Sequence, residues 1–257
     1  MSKKFLVLCM AALMALTALA AGCGGTQKSS DEKVLKVGTN ADFAPFEFQD
    51  ENGKEYQGFD MDLIRAVGEE MGYKVEISNV NFDGLIPALE AGNIDVAVSG
   101  MTINDERKQK VLFSDPYYKS GLSIVVAKDN TAINKFEDLK GKKVAVQIGT
   151  TSAAEVNKIG GVEVKEFNSS ADTFMELRAK GVDAVVNDRP VNDNYILKSG
   201  ETNVKALPDL LTSEDYGIAL SKQNGELQKK VNDALKKLHE NGKYDEIFAK
   251  WFGTASK

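Results

Sequence analysis

Two stretches of the chain align with each other without a gap: Leu89-Glu-Ala-Gly-Asn-Ile-Asp95-Val-Ala-Val-Ser99 and Leu177-Arg-Ala-Lys-Gly-Val-Asp183-Ala-Val-Val-Asn187. Each is typical of a helix end, a tight turn that carries an aspartate, and a buried strand. A duplicated unit of this kind predicts two α/β lobes. Chance similarity between two α/β crossovers is the alternative interpretation.

The sequence around the repeat alternates short apolar runs with helical patterns. The runs predict strands at 34–37, 73–77, 94–98, 123–127, 143–146, 162–167 and 182–186. Helical spacing predicts helices over 60–71, 83–91 and 171–180, and a helical stretch over 225–252 broken at Asn241-Gly242. Such alternation favours mainly parallel sheets covered by helices, with ligands bound at the carboxyl ends of the strands.

The N-terminus has the pattern of a targeting segment. Lys3 and Lys4 precede an almost wholly apolar run over 5–21, and Gly22-Cys23 follows directly. This predicts a signal peptide over 1–22, too short and wrongly flanked for a stable span. Leu19-Ala-Ala-Gly-Cys23 resembles a lipobox, so Cys23 is the expected lipidation site. An ordinary signal peptide, with Cys23 incidental, is the alternative.

The mature chain is expected to be acidic and without disulfides. Cleavage removes Lys3, Lys4 and Cys9 and leaves 30 basic against 38 acidic residues, a formal net charge of −8. Such a charge argues against nucleic acid and anionic lipid as partners. With one cysteine left, neither an intrachain disulfide nor a Cys-based metal site is possible. Residues 23–33 are polar and rich in Gly and Ser, which predicts a lipidated flexible tether.

Polar residues follow the strand of the first repeat. Ser99-Gly100 ends the strand, Thr102 adds a hydroxyl, and Arg107 falls in the first turn of a helix that begins after Asn104. Glycine lets a ligand approach the backbone closely, and an arginine fork suits a carboxylate. A lone arginine in a charged helix is, however, more often a solvated surface residue.

The second lobe offers a comparable set. Gln147 is followed by Gly149-Thr150-Thr151 before a helix, an arrangement that presents free N–H groups and hydroxyls to an anion. Asn187 and Asp188 end the strand of the second repeat and add an amide and a carboxylate. A plain N-cap by Thr150 or Thr151, and an N-cap by Asp188, are equally open at this point.

Taken together, these groups predict a receptor for an α-amino acid in a cleft between two hinged lobes. An arginine with hydroxyls and helix-end amides suits a carboxylate, and an aspartate suits an ammonium. Phe43 and Phe82 are candidates for the walls around the ligand side chain, although isolated phenylalanines are more often core residues.

The chain resembles the extracytoplasmic amino-acid-binding proteins of ATP-binding-cassette importers, and among them the glutamine-binding proteins. The resemblance spans about 35–252. It is carried by Phe43-Ala-Pro-Phe-Glu-Phe48, Gly58-Phe-Asp-Met-Asp62, Phe82-Asp-Gly-Leu-Ile-Pro-Ala-Leu89, Asp105-Glu-Arg107, Phe113-Ser-Asp-Pro-Tyr-Tyr-Lys-Ser-Gly121 and Lys250-Trp-Phe-Gly253.

The resemblance implies a periplasmic-binding-protein-like fold of type II: two α/β lobes, a ligand cleft and two hinge crossovers. Lobe 1 would comprise 34–117 and 216–257, and lobe 2 would comprise 118–215, with crossovers near 117–121 and 212–216. Arg107 would hold the ligand carboxylate with Thr102 and Thr151. The Gly100 backbone and Asp188 would bind the ammonium, and Phe43 and Phe82 would enclose the side chain.

The resemblance is least complete at the side-chain end of the site. Glutamine binders have Asp, Lys and His where this chain has Asn40, Gln147 and Asn187. Amides both donate and accept, which suits a primary amide, so glutamine is the favoured ligand. Gln147-Ile-Gly-Thr-Thr also resembles arginine binders, and Asp42 lies close by, so arginine or another basic amino acid is the alternative.

The implied partners are the permease and ATPase subunits of an importer, with the protein extracytoplasmic, lipid-anchored to the cell membrane and monomeric. No cofactor, metal or nucleic acid is expected.

A cyclohexadienyl-dehydratase-like enzyme is the rival class, but such chemistry needs a positioned acid or base. His239, the one histidine, lies in a helical pattern typical of a solvated face. A sensory binding lipoprotein is the third interpretation.

Overall fold

The computed structural model describes residues 33–50, 52–198, 200 and 202–253. The predicted signal peptide over 1–22, the lipidation site Cys23 and the tether as far as Glu32 lie outside the described residues.

The described chain alternates strands and helices over most of its length. The strands are β1 (Lys33–Thr39), β2 (Asp42–Phe43), β3 (Glu47–Gln49), β4 (Tyr56–Gln57), β5 (Tyr73–Asn79), β6 (Val96–Ala97), β7 (Val111–Phe113), β8 (Tyr118–Ser120), β9 (Leu122–Ala127), β10 (Lys143–Gln147), β11 (Glu163–Phe167), β12 (Ala184–Asp188), β13 (Val204–Ala206), β14 (Glu214–Tyr216) and β15 (Ala219–Ser221). The α-helices are α1 (Phe59–Met71), α2 (Leu85–Glu90), α3 (Asp105–Lys108), α4 (Thr151–Asn157), α5 (Ser170–Arg178), α6 (Arg189–Lys198), α7 (Gly225–Glu240) and α8 (Lys243–Phe252).

These strands form two five-stranded sheets, one in each lobe. The first has the order β5-β1-β6-β15-β7 and the second the order β11-β10-β12-β9-β13. The sequence predicted mainly parallel sheets, whereas both are mixed: β15 runs antiparallel to β6 and β7, and β9 runs antiparallel to β12 and β13. The antiparallel strands are those that enter each sheet directly from a crossover between the lobes. No helix precedes them to reverse the chain.

The aligned aspartates of the internal repeat make the same backbone contact in both lobes. Asp95 accepts a hydrogen bond from the Lys36 backbone N–H at 2.8 Å, and Asp183 accepts one from the Lys143 backbone N–H at 2.8 Å. Each aspartate therefore ties the turn before its own strand to the start of the neighbouring parallel strand. The structural equivalence predicted for the two stretches is confirmed.

Two short strands connect the sheets. β8 and β14 pair antiparallel, with Ser120 opposite Glu214 and Tyr118 opposite Tyr216. β8 leads from β7 of the first sheet to β9 of the second, and β14 leads from the second sheet back to β15. These are the two hinge crossovers, and they lie within the predicted stretches 117–121 and 212–216.

Capping explains where the helices around the cleft begin. Asn104 accepts from the Arg107 backbone N–H at 2.8 Å, and Thr150 accepts from the Ala153 backbone N–H at 3.2 Å. Short polar side chains satisfy backbone donors that the first helical turn leaves unpaired. The predicted helix over 83–91 is divided into a 3-10 turn (Phe82–Gly84) and α2, whereas the break at Asn241-Gly242 is confirmed.

The crossovers pack against an aromatic cluster. The ring of the fully buried Phe46 lies 4.8 Å from that of Tyr118, 5.3 Å from that of Tyr216 and 5.4 Å from that of Phe252. Burial of aromatic rings supplies much of the apolar contact in a protein core. The C-terminal helix α8 is thereby fixed against the hinge.

His239 is exposed, as predicted. Within the described residues, no helix is long and apolar enough to cross a bilayer.

Candidate functional site

A cavity of about 300 Å³ lies between the lobes, at the carboxyl ends of β1, β6, β10 and β12. Parallel strands of both sheets end there, which is where open α/β sheets bind ligands. The cavity is lined by Asn40, Phe43, Glu47, Phe82, Ser99, Gly100, Thr102, Arg107, Gln147, Thr150, Thr151 and Asp188. Eleven of the twelve residues predicted from the sequence therefore lie on one cavity. Their contact with a ligand stays a prediction.

Arg107 is buried at the cavity wall and spans the cleft. Its Nη1 donates to the Thr102 carbonyl at 2.9 Å, and its Nη2 donates to the Gly149 carbonyl of the other lobe at 3.1 Å. The guanidinium carbon lies 5.2 Å from the centre of the Phe82 ring, within cation–π range. The pKa of Arg107 is lowered because the side chain is buried, and the charges of Glu214 and Asp188 offset this only in part. The interpretation of Arg107 as a solvated surface residue is wrong.

Glu214 is a residue of the site region that the sequence did not reveal. Its Oε2 accepts from the Thr102 hydroxyl at 2.6 Å and from the Thr151 hydroxyl at 3.0 Å. Its Oε1 accepts from the Thr212 hydroxyl at 2.9 Å. One carboxylate on the hinge strand β14 thus engages a hydroxyl from each lobe. The hydroxyls of Thr102 and Thr151 are oriented by this contact.

Asp188 is held by the hinge through one of its carboxylate oxygens. Its Oδ1 accepts from the Ser120 hydroxyl at 2.9 Å and from the Tyr216 hydroxyl at 2.5 Å. Burial raises the pKa of Asp188 to about 7, and the charge of Glu214 adds to the rise. A ligand ammonium near Asp188 would stabilise its ionised form.

Gly100 combines a constrained backbone with a close aromatic neighbour. Its φ is +51°, and a Cβ added there would lie 2.9 Å from Phe43 Cε1. Its N–H donates to Asp60 Oδ2 at 2.8 Å. The site therefore requires glycine both for the left-handed backbone and for the approach of the Phe43 ring.

Glu47 and Asp60 form a buried carboxyl pair beside the cavity. Both side chains are fully buried, and Glu47 Oε2 and Asp60 Oδ1 have no hydrogen-bond partner among the described residues. Glu47 Oε1 also accepts from the Ser99 hydroxyl at 2.9 Å, and Asp60 Oδ2 accepts from the Tyr117 hydroxyl at 2.7 Å. Burial raises the pKa of Glu47 well above its usual range and that of Asp60 to about 6. Of the two, Glu47 lines the cavity.

Two of the three predicted amides lie on the cavity, and the third does not. The Gln147 side-chain amide donates to Asn40 Oδ1 at 2.6 Å and to the Asn168 carbonyl at 3.0 Å. Asn187 is buried and donates to the Ser170 hydroxyl at 2.8 Å, away from the cavity lining. Successive residues of a strand point to opposite faces, so Asn187 and Asp188 cannot both face the cleft.

Phe43 and Phe82 line the cavity from different positions. Phe43 is buried and its ring stacks on that of Phe46 at 6.0 Å, whereas Phe82 is half-buried at the start of the 3-10 turn. Asp42, beside Phe43, accepts from the Ser170 backbone N–H at 3.1 Å, which directs it to the other lobe and off the cavity lining.

The fold and the cleft together define a two-lobed binding protein of the periplasmic type II class. Residues 35–254 match the model of the bacterial extracellular solute-binding proteins, family 3, and the chain belongs to this family. Its relatives are amino-acid-binding proteins of ATP-binding-cassette importers, and membership places the protein outside the cytoplasm.

The relatives of this chain are named for different ligands. A probable histidine-binding protein of Neisseria gonorrhoeae is 38% identical, covering 95% of this chain and 94% of its own. An ancestral arginine-binding protein, 48% identical, is solved bound to arginine (TM-score 0.84) and bound to glutamine (0.83), each covering 86% of this chain and 99% of its own. An ancestral amino acid-binding protein described as a precursor of cyclohexadienyl dehydratase is 44% identical, with a TM-score of 0.79, covering 85% of this chain and 95% of its own.

Proposed function

We propose that the cleft captures L-arginine for an importer, with glutamine as the second candidate. The observation that carries this assignment is Glu47, a fully buried carboxyl on the cavity wall. A buried carboxyl favours a cationic partner, because burial without an opposite charge is unfavourable for its ionised form.

The backbone of the ligand would be held by groups from both lobes. Arg107 would receive the α-carboxylate in two parallel hydrogen bonds, exchanging its present contact with the Gly149 carbonyl. Asp188 would receive the α-ammonium, with the Gly100 carbonyl as a second acceptor. Because these groups come from different lobes, the ligand would bind the closed arrangement selectively and shift the population toward it.

The side chain would extend between Phe43 and Phe82 toward Glu47. A guanidinium is planar, stacks on aromatic faces and presents several N–H donors. Glu47 Oε2 makes no hydrogen bond to a donor within the described residues, so it can accept from a guanidinium N–H. Asn40 Oδ1 accepts one bond from Gln147 and has a second lone pair that can accept another.

Glutamine is supported by other observations. The amides of Asn40 and Gln147 lie on the cavity and can both donate and accept. The ancestral relative was solved with either ligand. The third amide predicted at the site, Asn187, donates to the Ser170 hydroxyl and does not line the cavity, which weakens the case for glutamine.

The assignment is tested by titration calorimetry with arginine, glutamine and citrulline, the neutral isostere of arginine. We expect arginine to bind most tightly, and Glu47→Gln to weaken arginine binding by at least about tenfold with little effect on glutamine, because a hydrogen bond to a charged group contributes about 1.5–3 kcal/mol. Glu76→Gln, an exposed change on β5, is the control. Tighter binding of glutamine by the parent would overturn the arginine assignment and keep the receptor.

A dehydratase activity is the competing class. Glu47 is the buried acid that such chemistry would recruit. We expect the ligand to be recovered chemically unchanged after prolonged incubation with the protein. A dehydrated product detected by mass spectrometry would identify an enzyme.

Delivery would follow from membrane attachment at Cys23 and docking on the permease. Two acyl chains hold a protein stably at a bilayer. We expect Cys23→Ser to shift the protein from the membrane fraction to the soluble extracytoplasmic fraction. Retention of that variant in the membrane fraction would point to another mode of attachment.

A further inference from the structure

Glu47 and Asp60 are neighbouring buried carboxyls, bonded by the adjacent residues Ser99 and Gly100, and each keeps one oxygen without a hydrogen-bond partner among the described residues. Two ionised carboxylates can only accept, so these two oxygens can bond to each other only when one of the carboxyls is protonated. The other donors to the pair are already assigned. Ser99 bonds Glu47 Oε1, while Gly100 and Tyr117 bond Asp60 Oδ2. Glu47 Oε2 and Asp60 Oδ1 accept from no other donor in the described chain, which leaves them to share the proton.

The surroundings favour a single negative charge on the pair. Both carboxyls are 0% exposed, so two ionised groups would repel each other without solvent to screen them. The titratable groups that face the pair from packed elements are Asp42 of β2, Tyr117, Tyr118 of β8 and Tyr244 of α8. None of these carries a positive charge. Among the residues that line the cavity, Arg107 is the one cation, and it bonds the carbonyls of Thr102 and Gly149.

We propose that Glu47 and Asp60 hold one shared proton, which is released to solvent when a cationic ligand side chain binds and retained when a neutral one binds. The inference rests on the proposed arginine site. A guanidinium that docks on Glu47 supplies the missing positive charge, both carboxyls ionise, and the proton leaves to the buffer. An amide or ureido group brings no charge, so the proton stays. The pair therefore distinguishes ligands by the charge of their side chains.

The proposal predicts a difference in proton count between two ligands of the same shape. Arginine and citrulline are titrated calorimetrically into the full mature chain in several buffers of different ionisation enthalpy, at about pH 6. The slope of the apparent enthalpy against buffer enthalpy gives the protons released. Asp188 also loses a proton when an ammonium binds, but both ligands carry the same ammonium, so its contribution cancels in the difference.

We expect arginine to release about one proton more than citrulline, and its affinity to gain about one further factor of ten per pH unit in this range. Equal counts for the two ligands would overturn the shared proton as a charge sensor and leave the arginine site intact. Failure of arginine to bind at all would overturn the proposed function instead, so the two failures are distinguishable.

Two conservative variants make the test independent of citrulline affinity. Asp60→Asn keeps an acceptor for Gly100 and Tyr117 and lets its amide donate to Glu47, so Glu47 can ionise before the ligand arrives. The extra proton should then be absent from arginine binding. Infrared spectra of the ligand-free parent should show a buried protonated carboxyl that Glu47→Gln removes. Its absence from the parent would refute the shared proton directly.

Discussion

The Gln147 side chain donates a 2.6 Å hydrogen bond to Asn40, and this bond joins the end of β10 in one lobe to the residue after β1 in the other. Both residues also line the cavity. One of the contacts that join the lobes is therefore part of the proposed binding surface, so closure and ligand recognition share side chains.

Gln147→Ala should weaken both closure and ligand binding. A neutral hydrogen bond contributes about 1 kcal/mol, so the closed population and the apparent affinity should fall about fivefold together. Calorimetry measures the affinity, and small-angle scattering measures the closed fraction. Gln228→Ala, which removes a bond to the Phe113 carbonyl away from the cavity, is the matched control. An unchanged affinity in the Gln147 variant would show that this bond does not contribute to closure.

Arg107→Ala should nearly abolish amino-acid binding. The change leaves a ligand carboxylate buried without its partner, which costs several kcal/mol. Arg65→Ala is the control, because Arg65 is an exposed arginine of α1 that bonds the Tyr56 carbonyl. A thermal-shift measurement with arginine should give a clear rise for the control and none for Arg107→Ala. Binding by Arg107→Ala within a few-fold of the parent would mean that the carboxylate site is misplaced.

Gly100→Ala should reduce both stability and ligand affinity, while Gly53→Ala should reduce stability alone. Both glycines have a positive φ, +51° and +65°, so each substitution costs about 1–2 kcal/mol of backbone strain. Only at Gly100 does the added Cβ meet an aromatic ring, and it has no heavy atom within 4 Å at Gly53. Denaturant unfolding measures the loss of unfolding free energy in each variant, and calorimetry measures the ligand affinity. Equal affinities in the two variants would argue against Phe43 as a wall of the site.

The unfolding free energy of the ligand-free protein should fall as pH rises from about 4 to about 7, and Asp188→Asn should reduce this fall. The pKa of Asp188 is raised from 3.8 to about 7, so the folded state binds more protons than the unfolded state between these values, and its stability decreases with pH. The raised pKa values of Asp42 and Asp60, each about 6, act in the same direction.

This prediction is measured as melting temperature against pH for the parent, Asp188→Asn and the exposed control Asp115→Asn. The control should follow the parent. A curve for Asp188→Asn with the slope of the parent would show that Asp188 does not titrate in this range.

The sequence located the cleft but missed two of its acids. The strand ends Ser99-Gly100 and Asn187-Asp188 were predictable because the repeat places them at equivalent positions of two sheets. Glu47 was not, because a glutamate between phenylalanines on a short strand looks solvent-facing, and its burial depends on a partner, Asp60, from the next helix. Glu214 was hidden for a similar reason, since its contacts with Thr102 and Thr151 exist only once both lobes have folded.

Asn187 is the predicted site residue that does not line the cavity. Its amide donates to the Ser170 hydroxyl, whereas Asp188 accepts from the hinge residue Ser120. Which of two adjacent polar residues at a strand end faces the cleft depends on the register of β12 in its sheet.

The order of strands in the first sheet sets the order in which the two sheets can form. β15, near residue 220, lies between β6 and β7, which both end before residue 114, so this sheet is incomplete until most of the chain is available. The second sheet needs only strands between Leu122 and Ala206. Because domains fold as their chain emerges, the second sheet can form outside the cytoplasm while the first still lacks its inner strand. The cleft is then completed last, when β15 has joined the first sheet.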